Sequence, residues 1–253
     1  MVVKIENFEG TSDTFTFPYN PLVFDNTLDT NKAITPIGFQ RHHILVSGAG
    51  INPSGIVLTG HFSGSDRWTN YRNLAKHFVQ NDKLKKLFFE DDKFYLGVGS
   101  QLKKTHTGER TNFIDYVFTF TTLVGVLFGD TLKTSGTNEG NTDTYVFEIT
   151  GTIANGGANV ELEDDFGNII RVDSSAFSTD NDFKFELVKM IDSGSGISVS
   201  EYGIVSINGT QVRQVSTMGG FGLLKIRSGD NVSTISTSNL NSVSVKFRDG
   251  YAD

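Results

Sequence analysis

The spacing of apolar residues changes character once along the chain. Over residues 66–78, Trp68, Tyr71, Ala75 and Phe78 recur at intervals of three and four, which predicts one apolar face of a helix, with Ser65 or Asp66 placed to cap it. Beyond a polar break, residues 84–89, the acidic stretch Glu90, Asp91, Asp92 and Lys93, and residues 94–98 read as strand, tight turn and strand. Alternation there places Phe94, Leu96 and Val98 on one face and Tyr95 and Gly97 on the other. A third strand over residues 113–124 alternates less cleanly, with aromatic and β-branched residues at both parities. A helix packed on a hairpin and closed by a later strand predicts a small sheet that keeps apolar surface after it forms.

Upstream, residues 1–10 form a short candidate strand. Phe15 and Phe17 then alternate with threonines until Pro18 and Pro21 interrupt central pairing, the pattern of an edge strand or arm. Residues 34–46 and 56–62 read as strands around a glycine-containing loop at 48–55, so the first half is a barrel-like sheet with one helix. Residues 131–143 are polar, rich in Gly, Thr and Asn and without period, which predicts a linker. Beyond it, candidate strands at 145–153, 159–162, 169–172, 183–188, 198–205, 210–215, 222–226, 232–235 and 242–247 are separated by Gly, Asn and Asp turns. That rhythm predicts an antiparallel sandwich, and hence two domains, 1–130 and 131–253.

Composition supports the class. In 253 residues there are 4 prolines, 27 glycines and 21 phenylalanines among many Thr, Ser and Val residues, as expected for a mainly β chain. The absence of cysteine removes disulfides and thiolate metal sites. No apolar run approaches ~18 residues and no export-signal succession opens the sequence, so neither membrane insertion nor that route of export is expected. Through Asp130 there are 13 Lys and Arg against 13 Asp and Glu; beyond it there are 9 against 16, and the difference of seven is the whole net charge of -7. An acidic second half argues against nucleic-acid binding there, because phosphates need clustered cations.

The candidate chemistry is thin. Ser100–Lys103 (SQLK) and Lys133–Ser135 (KTS) superficially match elements of penicillin-recognising enzymes, but that chemistry needs the serine at the start of a helix. His42, His43, His61, His77 and His106 lack metal-ligand spacing, and Glu161, Glu163, Asp164 and Asp165 lack the ligand loop of a calcium site and read as a solvated turn. Gly48, Gly50 and Gly55 miss the phosphate-binding fingerprint because Pro53 interrupts it. Lys83, Lys85, Lys86, Lys103 and Lys104 form either a positive surface or a screen for the acidic turn. Asn208 and Asn231 head glycosylation sequons within turns that choose such residues anyway. No catalytic residue, cofactor or metal is expected.

The chain resembles the distal tail protein family of long-tailed viruses, known as Dit. The resemblance rests on Tyr71, Leu74, Phe78, Leu84, Leu87, Phe89, Asp91, Asp92, Phe94 and Tyr95, then Phe118 and Phe120. The family's proline is missing at the boundary Phe128, Gly129 and Asp130. Near the end it continues in Gly229, Asp230, Asn231, Val243, Val245, Phe247, Arg248 and Tyr251. The resemblance implies a ring-forming first domain and a galectin-like second sandwich. It implies a hexameric structural protein of the virion that joins the tail tube protein to the tail-tip hub protein at the distal end of the tail, assembled in host cytoplasm. Such a protein touches no membrane and meets DNA only as cargo passing through the ring. Phe88, Phe89, Phe94 and Tyr95 are the candidate contacts between copies, against the plainer reading that they fill the first domain's own core. An adhesion protein that binds carbohydrate through the second sandwich is the alternative. Its weakness is that Trp68, the one tryptophan available to stack on a sugar, belongs to the other half.

Overall fold

The computed structural model describes residues 2–8, 13–25, 55–79, 84–90, 92–106, 112–173, 177–192, 198–212, 214–218 and 223–252. The strand expected at 34–46, the loop at 48–54, His42, His43, Lys83 and Asp91 lie outside them. The chain forms two compact units, parted in sequence chiefly between Leu127 and Phe128.

The first unit holds β1 (Lys4–Asn7), β2 (Thr14–Thr16), β3 (Leu22–Asp25), β4 (Gly55–Ser63), α1 (Arg67–Val79), β5 (Lys85–Glu90), β6 (Lys93–His106) and β7 (Phe113–Gly129). The strands lie in the order β2-β1-β5-β6-β7-β4-β3. The third strand predicted from sequence is longer than expected and alternates cleanly. Ile114, Tyr116, Phe118, Phe120, Thr122 and Val124 are buried, while Asp115, Val117, Thr119 and Thr121 are half-exposed. The sheet curls over its core, so that Phe15 of β2 lies 6.2 Å from Phe62 of β4 and Phe17 lies 6.0 Å from Tyr116 of β7. Close approach of β6 and β7 requires a glycine at Gly97, since a Cβ there would stand 2.1 Å from the Thr121 carbonyl oxygen.

Helix α1 falls where the period predicted, but it buries a different face. Trp68 is 40% exposed and Tyr71 and Ala75 are only half-buried, whereas Leu74 and His77 are enclosed. The helix is docked along the 70–74–77 stripe, against β2, β4 and β6. Trp68 and Tyr71, which help mark the helix in the sequence, stand largely beside that contact.

The second unit contains β8 (Thr144–Ile153), β9 (Val160–Glu163), β10 (Ile169–Val172), β11 (Asp182–Asp192), β12 (Ser198–Ile207), β13 (Thr210–Val212), β14 (Gln214–Met218), β15 (Lys225–Ile226), β16 (Ser236–Ser238), β17 (Leu240–Phe247) and β18 (Gly250–Tyr251). Apart from β18, they form two antiparallel sheets, β14-β10-β9-β16 and β13-β12-β11-β8-β15, with β17 also paired to β8. Alternate residues of both sheets, among them Val146, Ile149, Phe185 and Phe247 on one and Val160, Leu162, Ile170 and Val172 on the other, fill one core. The strand expected at 232–235 is instead a 3-10 turn, Val232–Thr234, because the Asn231 side chain accepts a hydrogen bond from the Ser233 amide at 3.0 Å and starts a helical turn.

Residues 131–143, expected to be a linker, are fastened to the C-terminal segment. Lys133 and Phe247 exchange backbone hydrogen bonds of 2.8 and 3.0 Å. Asn138 is fully buried, donating to the Thr142 and Ile226 carbonyls and accepting from the Gly140 and Gly250 amides. The glycines are required there: a Cβ on Gly140 would lie 1.8 Å from the Gly250 oxygen. Composition typical of a flexible segment serves a close backbone crossing.

Candidate assembly surface

An open sheet leaves a row of amide and carbonyl groups unpaired on each outermost strand. Among the described strands of the first unit those edges are β2 and β3. Pro18 and Pro21, which pointed to an edge or arm, lie between the two strands. Between them the chain passes from one end of the strand order to the other.

Among the described residues, edge β3 carries little of the usual protection. Leu22 is 68% exposed and Val23 40%, and the one charge of the strand, Asp25, comes at its end. Register against β4 pairs Leu22 with Thr59 and Val23 with Leu58, so the two side chains emerge on opposite faces of the edge. Tyr19, 52% exposed, stacks on His61 with ring centroids 5.7 Å apart, and its hydroxyl accepts from Ser63 at 3.1 Å. Beside it an open groove is lined by His61, Ser63, Arg67, Phe113 and Asp115. Edge β2 differs: Thr14 and Thr16 face solvent and Phe15 faces the core.

The four rings proposed from sequence as contacts between copies are placed within this unit. Phe88 and Phe94 are fully buried neighbours, 5.4 Å apart, roofed by the Lys4 ammonium at 4.2 Å from the Phe88 centroid and the Lys86 ammonium at 4.7 Å from that of Phe94. Tyr95 is buried on the opposite sheet face, and half-buried Phe89 meets it edge-on at 6.1 Å. In the single chain Phe88 and Phe94 present no surface and Tyr95 very little. Tyr19 and β3 add exposed apolar residues that the sequence reading did not name; the run Leu22-Val23-Phe24 directly after Pro21 is their signal in the sequence.

Other candidates resolve into structural roles. Ser100 lies inside β6, its hydroxyl donating to the Thr119 carbonyl and accepting from Thr121, so no helix carries Lys103 back to it. Asp164 is enclosed and accepts from the Phe166, Asn168 and Lys225 amides and the Asn168 side chain, while Glu161 pairs with Arg171. Those carboxylates are spent on the fold, and no group of three or more metal-ligating side chains occurs among the described residues. Three of the described lysines are placed apart: Lys85 is buried and donates to Asn7 Oδ1 at 2.5 Å, Lys86 covers Phe94, and Lys104 sits 5.1 Å over Trp68. In the second unit, burial pushes the Tyr145 hydroxyl up to about 12, so it stays protonated and serves as packing.

The chain matches no protein-family model and no curated protein. Among solved structures it is similar to the SPP1 Dit protein, described as a paradigm of the hub adsorption apparatus in phages infecting Gram-positive bacteria. Identity is 11%, 97% of this chain and 91% of that one are covered, and the TM-score is 0.42. It is also similar to a chain of the phage P2 baseplate in its activated conformation with calcium, at 14% identity over 98% and 97% of the two chains with a TM-score of 0.47. The corresponding strontium form gives 13% identity and a TM-score of 0.44 over the same shares. Likeness at this distance carries no argument about what the chain does.

Proposed function

We propose that the chain is a structural protein of a phage tail tip, acting by assembly and without catalysis. Six copies close into a ring that joins the tail tube to the tail-tip hub, with DNA crossing only as cargo. The single observation that carries this reading is the open β3 edge of the first unit, where Leu22 and Val23 face solvent beside Tyr19. It is an association-prone edge, and the sheet ends in a second, differently built edge at β2. Two unlike flanks are what a heterologous contact needs, and such a contact repeated by a closing rotation makes a ring. The sequence resemblance to distal tail proteins supplies the context, including the site at the distal end of the virion tail.

Native mass spectrometry of the purified chain, with negative-stain electron microscopy, tests this. The expected result is a closed six-membered species, alone or with neighbouring tail proteins added. A chain that stays monomeric at high concentration under both conditions overturns the reading. Leu22→Lys places a charge on the edge, and the expected outcome is loss of the ring with an unchanged far-UV circular dichroism spectrum.

A further inference from the structure

The stripe by which α1 docks contains a base where an apolar residue would be expected. His77, in the last turn of the helix, is 4% exposed. Its Nδ1 has no hydrogen-bond partner, and its Nε2 lies 3.8 Å from Asp13 Oδ1, beyond hydrogen-bond distance. The other Asp13 oxygen is held by the Lys76 ammonium at 3.0 Å. Phe15 approaches the imidazole with ring centroids 6.1 Å apart. Lys85, 1% exposed on β5, is the second enclosed base in the same region.

We propose that His77 is an acid-sensitive latch: neutral, it lets the C-terminal end of α1 close onto the first-unit sheet, and protonated, it drives that end off. The proposal is independent of ring formation. Among the described residues, the charged groups acting on the imidazole are Lys85 from β5, Asp13 from the segment entering β2, and Lys76 from α1 itself. Phe62 on β4 and Phe15 on β2 are uncharged members of the same interior. Burial opposes an imidazolium first, Lys85 and Lys76 oppose it further, and Asp13, already engaged by Lys76, is the one attraction. The balance holds the group below its ordinary value of 6.5.

The direction of the response follows. An opened helix end exposes an imidazole of ordinary basicity, which takes up a proton before the closed form does. As pH falls below 6.5, the open population therefore rises, by at most about tenfold per pH unit, until the closed form also titrates. Well above 6.5 neither state carries the charge and closure is fully favourable. This window opens at 6.5, above the ordinary carboxylate values, so its upper part is separable from general acid unfolding.

Amide hydrogen exchange of the full chain, at about pH 7 and about pH 5.5 with correction for intrinsic rates, reads the device directly. Peptides over α1 should lose up to about tenfold in protection relative to peptides over β8. In His77→Phe, whose ring suits the Phe15 contact, that relative loss should disappear; in Lys85→Met it should shrink. Equal loss in wild type and His77→Phe, or no loss in wild type, overturns the proposal. Should His77→Phe fail to fold, NMR titration of His77 in the native chain decides the matter: a midpoint below 6.5 supports the latch, and one at or above it overturns the proposal.

Discussion

The two units each enclose polar groups, and the most conspicuous of them differ in kind. In the second, Asn138 and Asp164 each make four hydrogen bonds, largely to backbone, and each ties together segments distant in sequence. In the first, the enclosed polar groups include two bases, one of them with an unpartnered nitrogen, and the sheet ends in exposed apolar edge residues. A satisfied polar network rigidifies because breaking it strands several groups at once. An enclosed base leaves a unit responsive, because adding a proton changes the sign of its contribution. On the proposed reading, association and adjustment fall to the first unit.

The largest expected effect that tests this contrast comes from Phe185→Ala, which empties a fully buried site in the sandwich core and should cost about 3–5 kcal/mol. Trp68, the single tryptophan, reports on the first unit alone. In urea, the far-UV dichroism transition should move to lower concentration while the Trp68 fluorescence transition stays in place. If both move together, the units do not respond separately and the contrast fails.

Asn138→Ala comes next, at about 1–3 kcal/mol, since it strands the Gly140 and Gly250 amides. Faster amide exchange at residues 138–142 and 250–252 would locate the loss. In the first unit, Gly97→Ala forces β6 and β7 apart and should cost a similar ~1–3 kcal/mol, visible in the Trp68 transition but not in exchange from β8.

The smallest effect concerns the charged ladder on the outer face of β8. Burial alone would raise the Glu148 carboxyl, but bonds from Lys246 and Lys184 outweigh it and hold the group below its ordinary 4.5. Its contribution is present in full above that ordinary value and is lost as pH falls through the lower folded one. Because Lys246 and Lys184 are each about a third or more exposed, Lys246→Ala should cost under about 1 kcal/mol at neutral pH. Chemical denaturation at neutral and at strongly acidic pH checks this, with the mutant and wild type converging at the acid end.

Much of the fold can be read along the chain, since strand alternation and helix spacing are local geometry. The hairpin of β5 and β6, the helix at α1 and most strands of the sandwich stand where the spacing of apolar residues puts them. Pro18 and Pro21 mark the ends of two edge strands because a residue without an amide hydrogen cannot serve a central ladder. The candidate surface was less legible. A phenylalanine in a strand has the same pattern whether its ring is roofed by Lys4 and Lys86 or left bare, and the roof comes from cross-strand register.

By itself, the sequence determined the mainly β class, the single long helix, the edge character of the proline-flanked strands and the absence of cysteine chemistry. Tertiary structure alone decided that α1 buries Leu74 and His77 and leaves Trp68 in solvent, that Phe88 and Phe94 are enclosed, and that residues 131–143 lock onto the C-terminal strands. The reason is physical. Period and propensity constrain a residue through its near neighbours, whereas burial depends on which distant segment covers it, and that is known only once the sheet has closed.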